Sequence, residues 1–167
     1  MPDKYVFRKY TPLYQKYFAQ ERKLLKDVLG ESANIEHVGS TAVPGLGGKE
    51  IVDILLGVSR SGIETAKTKL EKADYEFRPQ ASTPERLFFR RDYVAGQQKR
   101  RVHLHLVERV GSEWQQFIFF RDYLRENPIA VEEYIKIKKE AVKMAGGDGK
   151  KYREHKEEFI VNVLQKI

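Results

Sequence analysis

The sequence predicts an α+β fold: a small mixed β-sheet packed against helices, followed by a helical C-terminal half. Three observations point there. Short runs rich in Ile, Val and Leu at 34–38 and 50–58 have strand length and are bounded by turn-forming residues. Residues 101–107 alternate, with Val102, Leu104 and Leu106 on one face and His103, His105 and Val107 on the other. From residue 112 onward apolar side chains recur at helical spacing, interrupted only at Asn127-Pro128 and at Gly146-Gly147-Asp148-Gly149. The 167 residues are expected to form one domain, 1–167, because no repeat, low-complexity tract or linker divides them.

The elements follow in order. Thr11-Pro12 opens a helix, with Thr as N-cap and Pro at the first helical position. Tyr14, Tyr17, Phe18, Leu24, Leu25 and Val28 then share one helical face, and Gly30 suits the C-cap. Strands at 34–38 and 50–58 flank a glycine-rich loop, and a helix at 62–73 turns Ile63, Ala66 and Leu70 inward. Three strands are predicted at 75–78, 86–91 and 101–107, with a turn at 95–99. Helices at 112–126, from 128 to about 144, and from 149 to 167 complete the chain.

Charged residues make up 33% and hydrophobic residues 41%, which separates the chain from disordered and membrane-spanning classes. The opening MPDKYVFRKY carries no apolar core of a secretory signal. Cysteine is absent, which removes disulfides, thiolate metal sites and cysteine nucleophiles. A cytoplasmic protein with no membrane partner is expected. The net charge of +7 favours phosphate-bearing partners, although most Lys and Arg residues alternate with acids as on solvated helix faces. A denser basic group comprises Arg78, Arg86, Arg90, Arg91, Lys99, Arg100 and Arg101.

The stretch from Glu36 to Leu56 carries most of the chemistry. A strand runs into Gly39-Ser40, a loop with Gly45, Gly47 and Gly48 follows, and a second apolar strand holds one acid, Asp53. Backbone amides at a Gly-Ser turn can receive phosphate oxygens, and a carboxylate on the next strand can hold a metal beside them. An acid is costly in so apolar a strand, so Asp53 either pairs with a core cation or serves a site. His103 and His105 share a strand face and can bind a metal, or an anion when protonated; alternatively they are half-exposed or satisfied core histidines. Glu36 and His37 point to opposite sides of their strand, so at most one joins Asp53. Lys156 lies on the apolar stripe Tyr152, Phe159, Ile160, Val163, Leu164 and Ile167. Arg121 lies on the stripe of Trp114, Phe117 and Leu124. Each inward cation must snorkel, form an internal salt bridge to Asp53 or Glu36, or meet an anion.

Glu36-His37-Val38-Gly39-Ser40-Thr41-Ala42-Val43-Pro44-Gly45-Leu46, then Lys49 and Ile51-Val52-Asp53-Ile54, resemble the signature of the GrpB family. So do Arg101-Val102-His103-Leu104-His105-Leu106-Val107, Phe120-Arg121-Asp122-Tyr123-Leu124-Arg125, and Tyr152 with Lys156-Glu157-Glu158-Phe159-Ile160. The resemblance spans nearly the whole chain. It implies a nucleotidyltransferase-like fold, and in some proteins a related domain is fused to dephospho-coenzyme A kinase. No established reaction comes with it. The superfamily pattern is Gly-Ser followed by two acids one residue apart and a third acid on a later strand. Gly39, Ser40 and Asp53 match; Leu55 stands at the second acid, and a histidine pair occupies the region of the third.

Three functional readings follow. In the first, the resemblance implies a nucleotidyltransferase with an altered site: Asp53, His103 and His105 catalytic, and a divalent metal such as Mg²⁺ held by Asp53, Glu36 and His105. Gly39, Ser40, Thr41, Lys49, Arg121 and Lys156 would bind the substrate. One Asp supplies little charge for two cations, so the second reading is a nucleotide- or phosphate-binding module without transfer activity. The third is a nucleic-acid-binding protein using the Arg-rich strands, with Tyr75, Phe77, Phe88, Phe89 and Tyr93 as stacking or core aromatics.

Overall fold

The computed structural model describes residues 6–167. Five strands, β1 (Asn34–Val38), β2 (Val52–Val58), β3 (Glu76–Phe77), β4 (Arg86–Ala95) and β5 (Gln98–Glu108), form one sheet in the order β1-β2-β5-β4-β3. β2 and β5 run parallel, and the other neighbours are antiparallel. The sheet is therefore mixed, as the sequence predicts.

Strand alternation assigns the two faces. Ile35, Val52, Ile54, Leu56, Val102, Leu104, Leu106 and Phe89 face α1 (Leu13–Leu29) and α2 (Ile63–Lys72), meeting Leu25, Ala66 and Leu70 in the main core. On the other face Val38, Leu55 and Val107 pack under Trp114, Phe117 and Ile118 of α3 (Ser112–Glu126). Gly57 permits this approach, since a Cβ there would lie 2.8 Å from the Trp114 ring. Leu55, two residues after Asp53, is fully buried in that packing.

α4 (Pro128–Ala145) and α5 (Gly149–Leu164) complete the helical half. Val131, Tyr134, Phe159 and Val163 join Leu124 and the loop residues Val43 and Leu46 in a second core. This places α4 and α5 against the loop that follows β1, and it aims inward-facing lysines at that loop.

Several boundaries differ from the sequence expectation. α1 starts at Leu13, whose amide donates to Thr11 Oγ1 at 3.3 Å. β2 begins at Val52, because Glu50 adopts a left-handed φ of 64° that interrupts extended backbone. β3 is only two residues long. The stretch 95–99 is not all turn: the ladder runs through Val94↔Lys99 to Ala95↔Gln98, and Gly96 (φ 64°) makes the tight reversal. α5 ends at Leu164, and Ile167 is exposed rather than on a buried stripe.

Candidate functional site

β1 runs directly into Gly39, whose φ of 73° and ψ of −168° suit glycine alone. A Cβ at this position would stand 2.6 Å from Asp53 Oδ2, so the turn lies against the carboxylate. Ser40–Ala42 then form a short 3-10 turn. Asp53 sits opposite Val38 of β1 and His103 of β5 in the ladders, which gathers turn, acid and histidine at one place on the sheet.

Both histidines approach one oxygen of Asp53. His105 Nε2 is 3.3 Å and His103 Nδ1 3.8 Å from Oδ1. His105 is buried between the rings of Phe88 and Phe117, and its Nδ1 lies 3.4 Å from Arg86 Nη1. A guanidinium can only donate, so Nδ1 accepts and the network assigns the proton to Nε2, which donates to Asp53. Both ring nitrogens of His105 are thereby engaged. Burial lowers His103 to about 4 against the opposing pull of Asp53, leaving a neutral imidazole near pH 7. Burial would raise the Asp53 carboxyl, but the His105 hydrogen bond and the neighbouring His103, His105 and Lys49 together hold it below its ordinary value.

Glu36 and His37 divide as the strand period requires. Glu36 shares the face of Asp53, yet its carboxylate accepts from Arg121 Nη1 at 2.7 Å. Arg121 also donates to the His37 carbonyl at 3.1 Å and, through Nε, to Asp122 at 2.9 Å. The buried Arg121 is thus clasped between two carboxylates and the backbone of β1. His37 points to the other face, stacks on Phe18 and meets Thr41 Oγ1 at 2.9 Å. Thr41 donates to the Ile51 carbonyl at 3.3 Å, so His37 Nε2–H is the donor to Thr41. Burial lowers His37 to about 4. Thr41 is buried and ties the two ends of the loop, while Arg125 Nε holds the Ala42 carbonyl at 2.9 Å.

Above Asp53 the site is rich in lysine. Lys49 from the loop and Lys156 from α5 hold their ammonium groups 4.6 and 4.3 Å from the centre of the same ring, that of the buried Tyr152. Burial, then the charge of Lys49, lowers Lys156 to about 8. Lys138 of α4 is a third lysine at the site, one that the sequence reading missed. It is buried, bonds Ser40 Oγ, and donates to the Gly47 carbonyl at 3.0 Å. A signal was present: Val131, Tyr134, Lys138, Ala141 and Ala145 are the buried positions of α4, so Lys138 lies inside an apolar stripe just as Lys156 does. Arg86, which fixes the His105 tautomer, was grouped with the basic strands and not with the site.

The metal set expected from sequence is spread across separate contacts. Asp53 and His105 meet each other, whereas Glu36 is held by Arg121. Among the described residues no three His, Cys, Asp or Glu side chains are grouped so as to hold a metal ion. Mg²⁺ needs a nearly octahedral set of oxygen donors, and one carboxylate against two imidazoles is a poor fit to it.

The basic strands are largely paired with acids. Arg78 and Arg90 share Glu76, Arg91 chelates the buried Glu21, and Arg101 pairs with Asp92. Tyr75 and Phe89 are buried in the core, and Phe88 packs on both site histidines. No helix among the described residues is long and apolar enough to cross a membrane.

A five-stranded mixed sheet, a glycine turn pressed on a single strand aspartate, and a lysine-bearing helical half define an α+β protein with a polar site at one sheet face. Residues 5–166 match the family described as GrpB protein, and the chain belongs to that family. It is 31% identical over 158 residues to the "Glutamate-rich protein GrpB" of Alkalihalophilus pseudofirmus, covering 92% of this chain and 90% of that one. A UPF0157 protein of Halalkalibacterium halodurans is 33% identical over 159 residues, covering 94% and 79%. The crystal structure of the conserved protein GrpB from Enterococcus faecalis superposes with a TM-score of 0.81 at 27% identity, covering 96% of each chain.

Proposed function

We propose that this protein binds a nucleotide or another phosphate-bearing small molecule at the Gly39-Ser40 turn, with Lys49 and Lys156 taking its negative charge. One observation carries the reading: two ammonium groups from different elements converge on the Tyr152 ring. An anion seated beside both ammonium groups would gain a charge-assisted contact from each. Burial first, and the charge of Lys49 second, lower Lys156, and a bound anion favours its ammonium form. Asp53 marks the side of the site where a reaction centre would lie. Its lone carboxylate favours the binding reading over two-metal nucleotidyl transfer.

Calorimetric titration with a nucleoside triphosphate and with inorganic tripolyphosphate tests this. Saturable binding that weakens at least roughly tenfold in Lys156→Ala is expected, as for loss of one charge-assisted contact. Equal affinity in wild type and variant, or no binding, refutes it.

A further inference from the structure

We propose that Ser40 is a nucleophile and Lys138 its general base, forming a Ser–Lys dyad that takes a phosphoryl group from a phosphate ester or anhydride. The substrate class rests on the phosphate-binding reading above; the dyad itself rests on its own geometry. Lys138 Nζ and Ser40 Oγ are in direct hydrogen-bond contact across 98 residues of sequence. The contact is built into the loop. Gly48 leaves the space for it, since a Cβ there would stand 2.8 Å from Lys138 Nζ and 3.4 Å from Ser40 Cβ. Gly39, in its glycine-only conformation, places Ser40 at a sharp exit from β1, beside Asp53.

The partners of Lys138 suit a base rather than a salt-bridge cation. Among the described residues its other hydrogen bond goes to the Gly47 carbonyl and no carboxylate lies within ion-pairing distance. As a neutral amine Lys138 can donate one N–H to the Gly47 carbonyl and turn its lone pair to the Ser40 hydroxyl proton. The charged groups facing it are Lys156 of α5, Lys49 of the loop and Asp53 of β2, with the phenol of Tyr134 on its own helix. Burial, then Lys156, lowers Lys138 well below an ordinary lysine. A depressed lysine beside a hydroxyl is how a serine is activated without histidine.

The step balances without a metal. Ser40 Oγ attacks phosphorus as its proton passes to Lys138 Nζ. The bond from phosphorus to the leaving oxygen breaks, and that oxygen departs with the electron pair. The product is phosphoserine at position 40 and the released leaving group. Lys49 and Lys156 offset the charge that develops on the phosphoryl oxygens.

A fluorophosphonate probe tests the dyad, because the same attack expels fluoride and leaves a stable phosphonyl-serine. Intact mass and peptide mapping should find one label, on Ser40, forming faster as pH rises through the deprotonation of Lys138. Ser40→Ala should abolish it. Lys138→Arg keeps a long donor side chain but is permanently protonated and supplies no base, and should slow labelling at least a hundredfold while thermal unfolding shows a folded chain. Absence of label on Ser40 in the wild-type protein, or an unslowed Lys138→Arg, overturns the dyad. Tripolyphosphate titration of the same preparation keeps the two readings apart: binding without labelling sinks the dyad alone, and labelling without binding sustains the dyad while sinking the phosphate reading.

Discussion

Gly39 and Asp53 are in such close contact that a single added carbon at position 39 would fall 2.6 Å from the aspartate's Oδ2. Backbone conformation and carboxylate position are fixed together at this contact. Gly39→Ala must carry both a forbidden backbone and a clash, which together are expected to cost about 2–4 kcal/mol of stability. Urea unfolding of the variant measures the loss. A change below about 0.5 kcal/mol would show that the turn relaxes freely and does not anchor Asp53.

Glu21 makes a second prediction, on the other face of the sheet. It is buried in α1, accepts the Tyr75 hydroxyl at 2.5 Å and chelates Arg91 Nη1 at 2.7 and 2.9 Å. Removing the acid strands a guanidinium and a phenol inside the protein. Glu21→Ala should therefore destabilise by about 3–5 kcal/mol, whereas Arg91→Ala together with Tyr75→Phe should recover part of that loss. Additive effects in the double-mutant cycle would mean that the three groups do not act as a unit.

Acid should weaken the fold through its buried histidines. His37 and His103 each stand at about 4 in the folded protein, against about 6.5 when unfolded. Between pH 6.5 and 4 the unfolded chain therefore binds more protons, and stability falls as pH drops through that window. For His37 the loss at pH 5 relative to pH 7 is about 2 kcal/mol. The lowered Asp53 acts at still lower pH, where its protonation removes stability in turn. In His37→Gln, whose amide can still donate to Thr41, the pH slope of unfolding free energy should fall by about one proton. An unchanged slope contradicts the assignment of His37 as buried and neutral.

Lys156 gives the ligand reading its own pH signature. It stands at about 8 without ligand, and a bound phosphate favours its ammonium form. Binding near pH 8.5 should therefore take up a proton, seen as a dependence of the calorimetric heat on buffer ionisation enthalpy. Affinity should decline as pH rises above 8. Binding with no proton uptake in wild type would place the anion away from Lys156.

Much of this was legible in the sequence where one period governs one face. The alternation through Val102, Leu104 and Leu106 against His103 and His105 assigned both sides of β5; that Asp53 lies beside the histidines follows from the pairing of β2 with β5, which no pattern along one strand encodes. The opposite orientations of Glu36 and His37 followed from the same period. The β4–β5 hairpin was harder. Its outer pairs Val94↔Lys99 and Ala95↔Gln98 are exposed, so no apolar alternation marks residues 95–99 as strand. Partner choice was legible only in part: Glu36 was one of two acids expected to pair with an inward cation, and Arg121 meets it. Arg121 and Lys138 both sit inward on apolar helices, but one meets two carboxylates and the other a serine and a carbonyl. That difference depends on how α3 and α4 lie over the β1 turn, which spacing along one helix does not encode.

The most direct measurement is a crystal structure of the protein soaked with inorganic tripolyphosphate. The account predicts phosphate oxygens at the Gly39-Ser40 turn, within hydrogen-bond reach of Lys49 and Lys156 and beside Asp53. An anion bound elsewhere, with these lysines still resting on the Tyr152 ring, would contradict it.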